Sequence, residues 1–154
     1  IDRVPEGLRV YSNEPDLARE RGWTHVEDSL YHMEDYRQDL EELNKVQVPL
    51  EGGGLIRIEK TAALTSIDVD SSQGPDQGLT PEEINILAAK KASQQVLRRD
   101  IRGMVVIDFI TCDPDKRKDL EKILAEAFQE DPQAILYGFS PMGLYELVRK
   151  RKEK

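Results

Sequence analysis

No run of eighteen apolar residues occurs anywhere in the 154-residue chain, so nothing in it predicts a membrane span. The N-terminus has no basic-then-apolar signal and no initiator Met, and the chain reads as an internal fragment or a processed form. Cysteine occurs once, as Cys112. That excludes an internal disulfide framework and a cysteine-cluster zinc site within one copy, and it fits a cytoplasmic origin. Positive charge is in deficit: 22 Lys and Arg face 30 Asp and Glu, for a formal net charge of −8. This balance argues against a broad basic surface gripping a phosphate backbone. Nucleic acid would have to be held through metal ions, a local basic patch or a partner domain.

What is present is length enough for one real core, with 38% hydrophobic and 34% charged residues, so the chain is globular but polar. Residues 1–45 form a charged, partly helical segment. Pro5, Gly7, Asn13 and Pro15 make residues 1–16 extended chain and loop. From 16 to 45, Leu17, Val26, Leu30, Met33, Leu40 and Leu43 recur at loosely helical spacing and predict one or two helices. His25 and His32 would lie on one helix face two turns apart. Metal-binding His pairs on helices sit at i and i+4, so these two read as solvated or packing side chains.

Residues 46–154 carry the stronger patterns. Val46–Leu50 alternates, and Glu51-Gly52-Gly53-Gly54 suits a tight turn. The glycine run is not a phosphate loop, because no Gly-Lys-Ser/Thr follows it. Leu55–Glu59 reads as a half-exposed strand that returns through Lys60-Thr61-Ala62 into an antiparallel partner, Ala63–Asp70. In that partner Ile67 and Val69 point one way, and Ser66, Asp68 and Asp70 the other. A loop over 71–78 follows. Thr80-Pro81-Glu82-Glu83 opens a helix with a capping box, and Ile84, Leu87, Ala88, Ala92 and Val96 mark its buried face. Gly103–Ile110 is a second apolar strand that contains an acid, Asp108. Asp113-Pro114 starts another helix, Asp131-Pro132 stops it, and Ala134–Gly138 reads as a strand. Ser140-Pro141 is expected to cap a last helix, with Leu144, Leu147 and Val148 inward, before the basic tail Arg149–Lys152.

The predicted architecture is a mixed α/β sheet with flanking helices. Helical crossovers from 63–70 to 103–110 and from 103–110 to 134–138 would bring Asp68 and Asp108 to one carboxyl-end edge of the sheet. Carboxylates on paired strands, about 4.8 Å apart, can share an ion held at about 2.1 Å. An all-oxygen donor set without His or Cys favours magnesium or manganese over zinc. Such an ion would support phosphodiester hydrolysis. Spacing alone leaves a second reading open, in which Asp68 and Asp108 merely end strands and cap turns.

Leu64-Thr65-Ser66-Ile67-Asp68-Val69-Asp70-Ser71 resembles the catalytic strand of the ribonuclease E/G endoribonucleases, which typically reads Leu-Thr-(Ser/Ala)-Ile-Asp-Val-Asn-Ser. Val48-Pro49-Leu50-Glu51-Gly52-Gly53, Asn85-Ile86-Leu87-Ala88-Ala89 and Arg99–Ile110 resemble further family motifs in the same order. So does Ser140-Pro141-Met142-Gly143-Leu144-Tyr145-Glu146, with Arg149 and Arg151 after it. The likeness covers roughly residues 46–151. It implies a deoxyribonuclease-I-like catalytic subdomain over 46–154, in which Asp68 and Asp108 bind one Mg2+ (or Mn2+) and Asp70 stands at a catalytic position. It also implies RNA contacts at Asn85, Arg99, Arg149 and Arg151, and cleavage of single-stranded A/U-rich RNA to a 5′-phosphate and a 3′-hydroxyl, in RNA processing or decay.

The chain departs from the family pattern at Asp70, where Asn is usual, at Thr111, where a second acid is usual, and at Pro141, where an arginine is usual. The oligonucleotide-binding β-barrel, the 5′-end sensor and the paired-cysteine zinc link of the full enzymes are also missing. N-terminal RNA-binding domains are therefore expected partners, and a homo-oligomer is left open. The alternative to a nuclease is a non-catalytic RNA-binding or assembly module on the same fold.

Overall fold

The structure, a computed structural model, describes residues 10–12, 14–25, 34–71 and 78–151. The expectations for Pro5, Gly7, Asn13, Val26, Leu30, His32, Met33 and most of the loop over 71–78 lie outside the described residues. The chain divides into two compact units, Ile1–Lys45 and Val46–Lys154.

In the first unit, β1 (Tyr11–Ser12) pairs in parallel with β2 (Thr24–His25). Between them, α1 (Pro15–Arg21) begins with proline in its first turn. It ends at Gly22, whose φ of +65° lets the Trp23 N–H turn back to the Ala18 carbonyl at 2.8 Å. The helix α2 (Glu34–Asn44) completes the unit. His25 sits on a strand and is exposed, not on the helix face the spacing suggested.

The second unit is a six-stranded sheet in the order β3-β4-β5-β6-β8-β7. The strands are β3 (Gln47–Pro49), β4 (Leu55–Lys60), β5 (Leu64–Asp70), β6 (Gly103–Asp108), β7 (Ala134–Phe139) and β8 (Tyr145–Arg149). Only β5 and β6 pair in parallel; they are joined through α3 (Pro81–Arg98) as the sequence predicts. The capping box of α3 is complete. The Glu83 N–H donates to Thr80 Oγ1 at 3.2 Å, and the Thr80 N–H donates to Glu83 Oε2 at 2.8 Å.

Two expectations fail together at the C-terminal end. The predicted last helix is the strand β8, and it lies between β6 and β7, antiparallel to both. The crossover from β6 through α4 (Pro114–Phe128) therefore reaches a strand that is not the neighbour of β6. The reason is local. Pro141 and Gly143 close a tight turn in which Gly143 takes φ +84° and the Ser140 N–H meets the Leu144 carbonyl at 2.8 Å. Beyond it Tyr145, Leu147 and Arg149 are buried in strict alternation, the period of a strand. Leu144, Leu147 and Val148 match helical spacing only by coincidence.

The helices α3 and α4 cover one sheet face. Ile56, Ile67, Val105, Ile107, Tyr145 and Leu147 meet Ile84, Ala88, Ala92, Val96, Leu120, Leu124 and Phe128 in a single core. Removing these side chains from water, at about 25 cal/mol per Å2, is the main stabilising term. The polar residues of β4, β5 and β6 alternate onto the opposite face. No helix among the described residues is long and apolar enough to cross a membrane.

Candidate active site

The strand β5 buries Thr65, Ile67 and Val69 and turns Ser66, Asp68 and Asp70 away from the core, the division expected from its two-residue period. Its parallel register with β6 sets Asp68 directly beside Asp108. Both are at the carboxyl ends of their strands, where open α/β sheets leave a crevice. Adjacent strands run about 4.8 Å apart, so two matched residues on one face present their carboxylates side by side. Asp108 is exposed, and the Asp68 side chain is 51% exposed. These carboxylates face water.

The antiparallel partner β4 adds a residue that reading the sequence missed. Arg57 is the register partner of Asp68. Its Nη1 donates to Asp70 Oδ2 at 2.9 Å and lies 3.5 Å from Asp68 Oδ2. One guanidinium thus bridges two of the three acids, the Asp70 contact being a diagonal cross-strand pair. A signal for it was present. In Leu55-Ile56-Arg57-Ile58-Glu59 the arginine occupies an outward position, and the hairpin through Thr61 fixes what it faces.

Two features hold the acids in place. Gly54 takes φ +82°, and a Cβ there would lie 2.9 Å from the Asp70 carbonyl oxygen, so only glycine allows β4 to begin so close to the end of β5. Asn85 in α3 is 1% exposed. Its Nδ2 donates to the Ile110 carbonyl at 2.8 Å, and its Oδ1 accepts from the Ile110 N–H at 3.0 Å. This pair of hydrogen bonds to the backbone two residues past Asp108 fixes the end of β6. Asn85 is buried, with its side-chain amide bonded to the chain's own backbone.

The arginines expected to contact RNA do not gather at the acids. Arg149 is the register partner of Gly103, the first residue of β6, whereas Asp108 is the last. At about 3.3 Å per residue the two ends stand about 16 Å apart. Arg149 is also spent internally and only 5% exposed. It donates from Nε to Asp131 at 2.7 Å, and from Nη1 to the Ile101 carbonyl at 2.9 Å and Asp100 at 3.2 Å. Arg151 lies against Gly103 at the same far edge, and Arg99 caps the end of α3 there, donating to Gln95 Oε1 at 2.9 Å. Burial, with Arg98 beside it, lowers the Arg99 pKa from its ordinary value. Thr111 and Pro141 are exposed.

A family model, described as the Ribonuclease E/G family, matches residues 10–152. The chain belongs to the ribonuclease E/G family. It is 33% identical over 129 residues to a chloroplastic ribonuclease E/G-like protein of Arabidopsis thaliana, covering 79% of this chain and 13% of that protein. Identity to ribonuclease E of Escherichia coli is 37% over 110 residues, covering 68% of this chain and 10% of that enzyme. Against ribonuclease E of Synechocystis it is 34%, covering 97% and 21%. The chain thus spans about a tenth to a fifth of the length of these ribonuclease E/G relatives.

The site's donor chemistry can be tested for the ion that the ribonuclease E/G resemblance implies. Among the described residues, no group of three or more His, Cys, Asp or Glu side chains converges on one point. That excludes there a closed structural zinc site, which needs four ligands. Two adjacent carboxylates open to water fit a hard cation that keeps most of its hydration shell, the usual habit of magnesium. Asp68 and Asp108 are the residues that would hold such an ion. Asp70, held by Arg57, is placed beside them.

Proposed function

We propose that this chain is the catalytic subdomain of a magnesium-dependent endoribonuclease that hydrolyses phosphodiesters in single-stranded, A/U-rich RNA. The observation that carries the reading is the side-by-side register of Asp68 and Asp108 at the carboxyl ends of the parallel strands β5 and β6. The ribonuclease names of the relatives support RNA as the substrate. Bound at the two carboxylates, magnesium would supply Lewis-acid polarisation of the phosphodiester and activation of water; manganese fits the same donors.

The chain's own residues account for the rest. Asp68 and Asp108, fixed on paired strands, are the two residues that would hold the ion. Asn85 keeps the end of β6 from fraying, and the Gly54 turn does the same for β5. Water adds to phosphorus, the bond to the 3′-oxygen breaks, and the products are a 5′-phosphate and a 3′-hydroxyl. The formal net charge of the chain is −8, so in this reading RNA is gripped mainly by N-terminal RNA-binding domains of the kind the full ribonuclease E/G enzymes carry. The setting of this reading is cytoplasmic RNA processing or decay.

The test is incubation of the chain, and of the longer protein, with a 5′-labelled A/U-rich oligonucleotide and Mg2+. Cleavage that Asp68→Asn and Asp108→Asn each abolish supports the reading. Cleavage retained in either variant overturns the site. RNA binding without cleavage by the longer protein favours the non-catalytic module.

A further inference from the structure

We propose that Arg57 is a resident counter-cation that sets the metal affinity of the acidic edge by neutralising Asp70. The inference rests on the metal reading above and extends it to a residue that reading does not use. Three carboxylates, those of Asp68, Asp70 and Asp108, stand on one sheet face at one edge. A divalent ion is balanced by two of them, and the third is excess charge. Arg57 answers that excess, with its Nη1 at 2.9 Å from Asp70 Oδ2. The pair is sheltered: the Asp70 side chain is 20% exposed and that of Arg57 is 32% exposed. Solvent therefore screens it less than it screens Asp68, at 51%.

The same guanidinium lies 3.5 Å from Asp68 Oδ2. It competes with any cation for that carboxylate. Asp70 limits the competition by drawing Arg57 to itself, since its contact is the shorter one. Arg57 is thus a positioning residue for Asp68 and Asp70, and the pair works as a unit whose net charge is zero. Removing either member changes the charge beside the ion by one unit, of opposite sign in the two cases. Removing both restores neutrality.

The test is a double-mutant cycle read by Mn2+ binding, using electron paramagnetic resonance of free Mn2+, so that it does not depend on RNA cleavage. Arg57→Gln should tighten Mn2+ binding about tenfold, from one unit charge removed at close range in a half-screened site. Asp70→Asn should weaken it by about the same factor. The double variant should return to within about twofold of the parent, because charge is restored and the two effects are coupled. Arg57→Lys, which keeps the charge, should stay near the parent. Circular dichroism confirms that each variant is folded. Parent binding with an unchanged affinity in Arg57→Gln overturns this proposal and leaves the metal site standing. A double variant that retains either single shift overturns it equally. No Mn2+ binding by the parent overturns both the metal reading and this one.

Discussion

Replacing Asn85 by alanine tests whether the end of β6 is held by one side chain. Asn85 spends its donor and its acceptor on the backbone of Ile110, at 2.8 and 3.0 Å, from a position that is 1% exposed. Alanine removes both bonds and supplies nothing in return. The Ile110 N–H and C=O then lose their partners in a partly buried setting. An orphaned buried polar group costs about 1–3 kcal/mol, and two such groups on one residue relax together. The expected loss of stability is about 3 kcal/mol, read from the urea midpoint by circular dichroism with the slope unchanged. Amide hydrogen exchange localises the effect. The Ile110 amide should lose protection by more than the global change, while Val105 and Ile107 follow the global change. A loss under about 0.5 kcal/mol with Ile110 still protected would refute the reasoning, because surface-like substitutions fall in that range.

Other outcomes follow from the far edge of the sheet. Arg149→Met should destabilise the fold by about 3–5 kcal/mol, since it takes the buried arginine from Asp131 and from the Ile101 carbonyl and leaves Asp100 only Arg102 of its two arginines, and Arg149→Lys should not rescue it, because lysine cannot reproduce the fork. An Arg149→Met variant that melts like the parent but loses RNA affinity would return Arg149 to the RNA-contact role. Acid should act through Asp100. Burial raises its pKa, but the hydrogen bonds and charges of Arg102 and Arg149 outweigh that, so the net shift is below the ordinary 3.8. A depressed carboxyl pKa means the unfolded chain takes up the proton first as pH falls. The stability gap between the parent and Asp100→Asn should therefore be constant near neutrality and close as pH drops below about 4. A gap that widens in acid would contradict the assignment.

The parts of this fold that were legible in the sequence are those where local chemistry and tertiary demand agree. Thr80-Pro81-Glu82-Glu83 forms its capping box because the reciprocal bonds need only neighbours three residues apart. Asp68 and Asp70 fall on the outward face because Ile67 and Val69 must be buried, and a slip by one residue would expose them. The β5–α3–β6 crossover follows from the order of elements, and it brings Asp68 to Asp108. Non-local choices were hidden. Leu144, Leu147 and Val148 satisfy helical spacing while Tyr145, Leu147 and Arg149 satisfy extended spacing, and the strand wins through Gly143 and through the partners waiting on β6 and β7. The role of Arg149 depends on Asp100 and Asp131, which no local pattern connects to it. Asn85 looks like a polar residue on a helix until its partner at Ile110 is known. Arg57 needed the hairpin register, since only pairing opposite Asp68 reveals what an outward arginine faces. Near the acids the sequence identified the carboxylates, and the structure supplied their counter-charge.

The central claim is that Asp68 and Asp108 together hold one divalent ion. Mn2+ titration of the parent, Asp68→Asn and Asp108→Asn, followed by electron paramagnetic resonance, tests it most directly. The account predicts one site per chain in the parent and its loss in each variant. A site that survives either substitution with unchanged affinity would contradict it.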